Sequence, residues 1–177
     1  LTEGAVLVGH SMGGAVALEA ALRHDVVGGV VAVCTSLRPR PDARVVAALR
    51  DGDLERFLPY VRPGIVGIGR PPSAAAERSA ARLERVVERR PVDVLLADYE
   101  AVAASDLTGR LGALRVPVAV LAGERDALVR PRRVAALAAE VGVEMTVVTG
   151  SSHQVPWEAP AAVAAAVERI RRATTSP

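Results

Sequence analysis

Unbroken apolar runs alternate along this chain with stretches whose apolar positions recur every three to four residues. Residues 5–9 read AVLVG, 27–36 read VGGVVAVCTS, 116–123 read VPVAVLAG and 144–150 read EMTVVTG. Short apolar runs bounded by glycine or small polar residues predict strands buried on both faces. Residues 14–23, GAVALEAALR, are rich in alanine and leucine and suit a helix. In 132–141, Val134, Leu137, Ala138 and Val141 share one face. In 160–172, Pro160 suits the first helical turn, and Val163, Val167 and Ile170 line one stripe. Buried strands alternating with amphipathic helices predict an α/β fold, with a mostly parallel sheet flanked by helices.

Residues 37–106 interrupt this rhythm with no clear buried strand. Helices are predicted over 42–50, 53–61, 76–90 and 92–104, and Ala76, Ala80, Leu83 and Val87 share a face of the third. The stretch 62–73, RPGIVGIGRPPS, reads as a glycine- and proline-rich connection. A helical insertion between two strands of a parallel sheet belongs over the carboxyl edge, where open α/β sheets bind ligands.

Composition narrows the chemistry. Half of the 177 residues are hydrophobic and 24% are charged, a folded-domain composition with enough chain for a real core. No apolar run approaches the ~20 residues of a membrane helix, so no membrane partner is expected. Aromatics are scarce, and the core must be built from Val, Leu and Ala. Every basic residue is arginine, which excludes a Schiff-base or P-loop lysine. The net charge is only +2. The basic patches at 38–44, 130–133 and 169–172 alternate with acids, which reads as solvated faces and not as a nucleic-acid surface. Cys34 is the single cysteine, so no disulfide or CxxC site can form within the chain. That fits a reducing compartment and gives a cytoplasmic expectation, with Cys34 as a buried apolar thiol. His10, His24 and His153 lack metal-ligand spacing, and neither metal nor cofactor is expected.

The reactive chemistry centres on Gly9-His10-Ser11-Met12-Gly13, which matches the G-x-S-x-G nucleophile elbow. A sharp strand-to-helix turn forces the serine into a strained backbone conformation. Bulky side chains two residues to either side would collide, which calls for Gly9 and Gly13. The turn presents the hydroxyl at a helix N-terminus, where developing negative charge is favoured. A serine needs a base, and the base an orienting acid. His153 follows the last strand and is the candidate base. His24 reads as a surface residue and His10 as packing beneath the elbow. Asp126, just beyond strand 116–122, is the candidate acid, with Glu124 as runner-up. Asp106 lies before that strand, at its wrong end.

With these residues in view, the chain resembles the α/β-hydrolase fold family, in particular its bacterial esterase, lactonase and haloperoxidase-like branch. The segments that carry the likeness are VGHSMGG, LRVPVAVLAGERDALV and GSSHQVPWEAPAAV. The resemblance implies Ser11, Asp126 and His153 as a catalytic triad, and the Met12 backbone N–H as an oxyanion donor. It implies a core of residues 1–36 and 107–177 and a helical cap over 37–106. Phe57, Tyr60 and Trp157 are candidate pocket residues; packing within the cap, or of the last helix for Trp157, is the competing role. In the family the elbow follows the fifth of eight strands. The expectation is therefore an N-terminal segment missing before Leu1, which would carry the earlier strands and the second oxyanion donor, and an impaired catalyst without it.

The reading from sequence is thus a serine hydrolase for a small, fairly apolar ester, lactone or thioester, working through an acyl-enzyme. Two alternatives stay open. One is an acyltransferase or perhydrolase using the same triad. The other is a non-catalytic ligand-binding or truncated hydrolase-fold fragment.

Overall fold

A computed structural model describes residues 4–68 and 71–175. Four parallel strands form one sheet: β1 Ala5–His10, β2 Val27–Val33, β3 Val118–Gly123 and β4 Met145–Val148. Their order in space is their order in sequence. Leu7 pairs with Val30, Val31 with Ala119, and Leu121 with Thr146, so all four strands end along one carboxyl edge.

The continuous apolar runs follow from burial on two sides. Val30, Ala32, Val120 and Ala122 face helices α1 Met12–Arg23 and α6 Pro131–Val141. The alternating residues Val31, Val33, Ala119 and Leu121 face α8 Pro160–Thr175 through Ala166 and Ile170. A strand with helices on both faces has no polar side, so its sequence cannot alternate. Leu18 of α1 and Leu137 of α6 are fully buried in the first of these layers.

Between β2 and β3 the chain forms four helices: α2 Ala43–Arg50, α3 Leu54–Val66, α4 Ala74–Val87 and α5 Val92–Ala104. They carry a core of their own, made by Val45, Leu49, Phe57, Val61, Ile65 and Leu95 among others. Three of these helices start on a side-chain cap. Asp42 accepts from the Arg44 backbone N–H, Asp53 from that of Arg56 and Ser73 from that of Ala76. Those caps explain why helices form in so polar a segment.

The boundaries differ from expectation where tertiary packing outweighs local signals. Helix α3 runs on through Pro59 and Pro63 to Val66, into the stretch expected as a connection. Burial of Val61, Gly64 and Ile65 compensates for the N–H groups the prolines lack, and Gly67 ends the helix at φ 87°. Residues 69–70 of that connection lie outside the described residues. Helix α4 begins at Ala74, on its Ser73 cap, and ends at Val87 rather than 90. Strand β2 stops at Val33, three residues early, because Cys34 turns to φ 52°. Two short elements had no sequence signal: a 3-10 turn at Leu111–Ala113 and α7 at Val155–Glu158.

The two-sided core makes a direct expectation. Leu137→Ala removes a fully buried side chain and should lower the unfolding free energy by about 2–5 kcal/mol. Val16→Ala, at a position 62% exposed, should change it by less than about 0.5 kcal/mol. Denaturant titration of both variants checks the contrast; equal effects would contradict the burial.

Candidate active site

Strand β1 runs into α1 through Ser11, whose backbone sits at φ 53°, ψ −119°. A positive φ in a non-glycine residue stores on the order of 1–3 kcal/mol and persists only where its surroundings enforce it. Here they do. The Ser11 N–H donates to the Val33 carbonyl at 2.8 Å, and the Thr35 hydroxyl donates to the Ser11 carbonyl at 2.7 Å. Glycine is required at two places. A Cβ on Gly9 would lie 2.1 Å from the Gly13 carbonyl oxygen, and one on Gly14 would lie 1.8 Å from Thr35 Oγ1. At Gly13, where collision was also expected, a Cβ would meet open space. The first turn of α1 crosses the end of β1, so the Gly13 backbone crowds Gly9, while Thr35 beyond β2 crowds Gly14. Met12 is the first residue of α1, and a helix N–H there has no intrahelical acceptor.

Strand β3 delivers the second group. It ends at Gly123, and Asp126 follows in the loop, 1% exposed. Its Oδ1 accepts backbone N–H bonds from Leu128 and Val129, both at 2.9 Å. Its Oδ2 accepts from His153 Nδ1 at 2.8 Å. One carboxylate oxygen is thus fixed by the backbone and the other by the imidazole. Glu124, the competing acid, is exposed and instead accepts from the Gly150 N–H at 2.8 Å, bracing the turn after β4. Asp106 lies far from this pair in role: it bridges Arg38 at 3.1 Å and caps Thr108.

His153 stands on a loop that packs directly on the end of β3. A Cβ on Gly123 would come within 2.0 Å of the Ser152 carbonyl oxygen, so only glycine admits the loop. The loop is also tied to the helices. Ser152 Oγ donates to the Ile65 carbonyl at the end of α3 and contacts the Glu158 carboxylate, which also accepts from the Ser152 N–H at 2.9 Å. The Arg125 N–H donates to the Ser151 carbonyl at 2.9 Å.

Two further residues meet His153. His10 Nε2 donates to the His153 carbonyl at 2.8 Å, and the two rings are 4.7 Å apart. Burial, and then the neighbouring His153, pull the His10 pKa from 6.5 down to about 4. His10 is therefore a neutral donor at ordinary pH. Sequence placed it under the elbow but carried no sign of this long-range bond. Cys34, at the end of β2, is buried, and desolvation together with the Asp126 charge pushes its thiol far upward. The donor atoms of His10, Cys34 and His153 lie within 4.8 Å of one another. Of these, His10 Nε2 is used on a carbonyl, His153 Nδ1 on Asp126 with its Nε2 left open, and the thiol is held in its protonated form. His24 is exposed at the end of α1.

Ser11 and His153 open on one cavity of about 630 Å³ between the sheet's carboxyl edge and the helices that follow β2. Met12, Val45, Tyr60 and Leu128 also line it. Of the three aromatic residues expected there, only Tyr60 takes that place. Phe57 is 2% exposed and packs edge-on against Tyr99, at 5.6 Å, within the helical core. Phe57 and Val61, one turn apart on α3, are buried in that core, while Tyr60 packs against its edge only partly buried and so also reaches the cavity. Trp157 is 39% exposed and lies under the Arg82 guanidinium at 4.8 Å, away from the cavity. Helix α7 turns its ring toward α4.

A profile of the Alpha/beta hydrolase family matches residues 1–166. No curated protein matches the chain. Among solved structures, a thermophilic esterase from Thermogutta terrifontis superposes with a TM-score of 0.79 at 23% identity, over 97% of this chain and 65% of that one. An enol-lactonase from Burkholderia xenovorans LB400 gives 0.80 at 23%, over 93% and 64%. A bromoperoxidase from Bacillus anthracis gives 0.81 at 17%, over 97% and 68%. At these identities the likeness is one of fold. The chain spans about two thirds of the length of these structures.

The His10 environment predicts a pH effect. The unfolded chain binds a proton at His10 near pH 6.5, the folded chain only near 4. Between these values the unfolded state holds more protons, so stability falls as pH falls. Replacing His10 with glutamine should reduce the slope of unfolding free energy against pH in this window by up to about 1.4 kcal/mol per pH unit. Identical slopes for the two proteins, from denaturant titrations at several pH values, would contradict the buried neutral state.

Proposed function

The chain belongs to the alpha/beta hydrolase family, and on that premise we propose that it acts as a serine hydrolase on a small, fairly apolar ester, lactone or thioester. The observation that carries this reading is the buried Asp126–His153 pair, with His153 opening on the same cavity as the strained Ser11. Ser11 Oγ attacks the substrate carbonyl, and His153 Nε2 takes its proton. Asp126 holds the imidazole by Nδ1, which leaves Nε2 free to accept. The tetrahedral oxyanion takes the Met12 N–H, at a helix start whose dipole favours negative charge. His153 then protonates the leaving group. Water, activated by the same imidazole, hydrolyses the acyl-enzyme.

The cavity supports the substrate class. Its walls are largely aliphatic, from Val45, Val61, Pro63 and Leu128, and its volume suits a small ester. The helices over residues 37–106 act as the cap in this reading, since Val61, Pro63 and Gly64 of α3 line the cavity opposite Ser11. No helix among the described residues is long and apolar enough to cross a membrane. The free, buried Cys34 fits a reducing compartment, and the cytoplasm is the proposed location.

The reading makes two expectations. In the active protein, Ser11→Ala and His153→Ala should each lower turnover by on the order of 10⁶, and Asp126→Ala by less. Ester hydrolysis at near wild-type rate in Ser11→Ala would overturn the assignment. A fluorophosphonate probe should label Ser11 in the unmodified protein and fail after His153→Ala, because the unaided hydroxyl is a poor nucleophile. Labelling that ignores His153→Ala would show that the imidazole is not the base. Product analysis in the presence of alcohol or peroxide separates hydrolysis from acyl transfer.

A further inference from the structure

The walls of the cavity carry charge that the hydrolytic mechanism does not use. Two aspartates and two arginines line it: Asp42, Asp98, Arg40 and Arg133. The aspartates are already matched. Asp42 pairs with Arg44 at 2.6 Å and Asp98 with Arg90 at 3.4 Å. The arginines are not. Among the described residues Arg40 makes one hydrogen bond, from Nη1 to the adjacent Pro39 carbonyl at 3.3 Å. Arg133 makes one, from Nη2 to the Arg38 carbonyl at 2.9 Å. Asp106, whose carboxyl feels Arg40, is itself bridged to Arg38 at 3.1 Å. A guanidinium has five N–H donors, so most of those on Arg40 and Arg133 remain to be used.

One more polar group is unspent. Ser36 lines the same cavity, and its buried hydroxyl has no hydrogen-bond partner among the described residues. A buried hydroxyl left without a partner is costly, and such groups in native structures have a reason. Ser36 follows β2 by three residues, so it sits at the sheet edge on the same side as Ser11. Two unmatched cations and one idle hydroxyl lining one cavity describe a receptor for an anion. A planar guanidinium matches the two oxygens of a carboxylate better than any neutral group.

We propose that the substrate carries a carboxylate remote from its ester, thioester or lactone bond, bound by Arg40, Arg133 and the Ser36 hydroxyl while Ser11 attacks the acyl carbon. This rests on the serine-hydrolase reading for the reaction but not for the binding. The aliphatic walls take the chain between the two ends, and the charged end fixes which way round it lies. Binding energy from a group remote from the reaction then serves to orient the carbonyl.

The test compares two aryl esters of equal length: the mono-4-nitrophenyl ester of glutaric acid and its methyl-capped neutral counterpart. The free carboxylate should raise kcat/KM about tenfold or more at low salt, and the advantage should shrink as salt is added. Arg40→Gln, at an exposed position, and Arg133→Gln should each reduce the ratio of the two kcat/KM values about tenfold. An equal rate for the two esters, or a ratio untouched by both variants, overturns the proposal while leaving the hydrolase reading intact. A second arm needs no turnover. Glutarate binding to the Ser11→Ala protein, followed by calorimetry, should weaken in Arg40→Gln and Arg133→Gln, and glutaramide should bind poorly. Such binding, together with an unmodified protein that hydrolyses neither ester, would overturn the hydrolase reading and keep the carboxylate site. Absence of glutarate binding would overturn the site.

Discussion

The site depends on how closely one piece of backbone can approach another at the carboxyl ends of three parallel strands. After β1, α1 crosses so near that a single methyl on Gly9 would overlap the Gly13 carbonyl. After β2, Thr35 leaves no room for a side chain on Gly14. After β3, Gly123 admits the loop that carries His153. Each contact is permitted by a missing Cβ; the first two hold the Ser11 turn and the third seats the His153 loop. Were these gaps wider, Ser11 would relax from its positive φ, and His153 would lose the surface on which its loop rests.

Within that frame the polar groups are held by more than one bond apiece. Asp126 is fixed through both carboxylate oxygens, so its charge is buried but well matched. His153 is held by Asp126 at one ring nitrogen and by His10 at its own carbonyl. The neutral imidazole of His10 is suited to this, since a charged ring in the same place would oppose protonation of His153. Cys34 adds a small, uncharged thiol against the carboxylate, where an ionisable neighbour would compete for the imidazole.

How much of this could be read from sequence follows from the range of each interaction. The parallel sheet was legible because burial on two faces leaves continuous apolar runs, as in Val30–Val33 and Val118–Ala122. The meeting of Asp126 and His153 was legible because both follow strand ends, and strand ends share an edge. The course of α3 was not legible: Pro59 and Pro63 are local breakers, and the burial that outweighs them comes from α2 and α4. Phe57 and Tyr60 lie three residues apart, and nothing local says which one faces the cavity. The bond from His10 to His153 joins residues 143 positions apart, beyond any motif. The arginines of the cavity wall read as solvated patches, because the partners that neutralise other arginines and spare these two are set by folding.

Trp157 stands four residues after His153, on the short α7, with the Arg82 guanidinium of α4 over its ring. It is the only tryptophan in the chain. Excited at the red edge, where the two tyrosines absorb little, the chain thus offers one emitter, at the seam between the helices of 37–106 and the loop that carries the imidazole. Its emission is a spectroscopic gauge of that seam: a cation held on the indole face alters the excited state, and withdrawal of α4 exposes the ring to water. Movements of the helical layer can therefore be timed by light, without a label and without substrate.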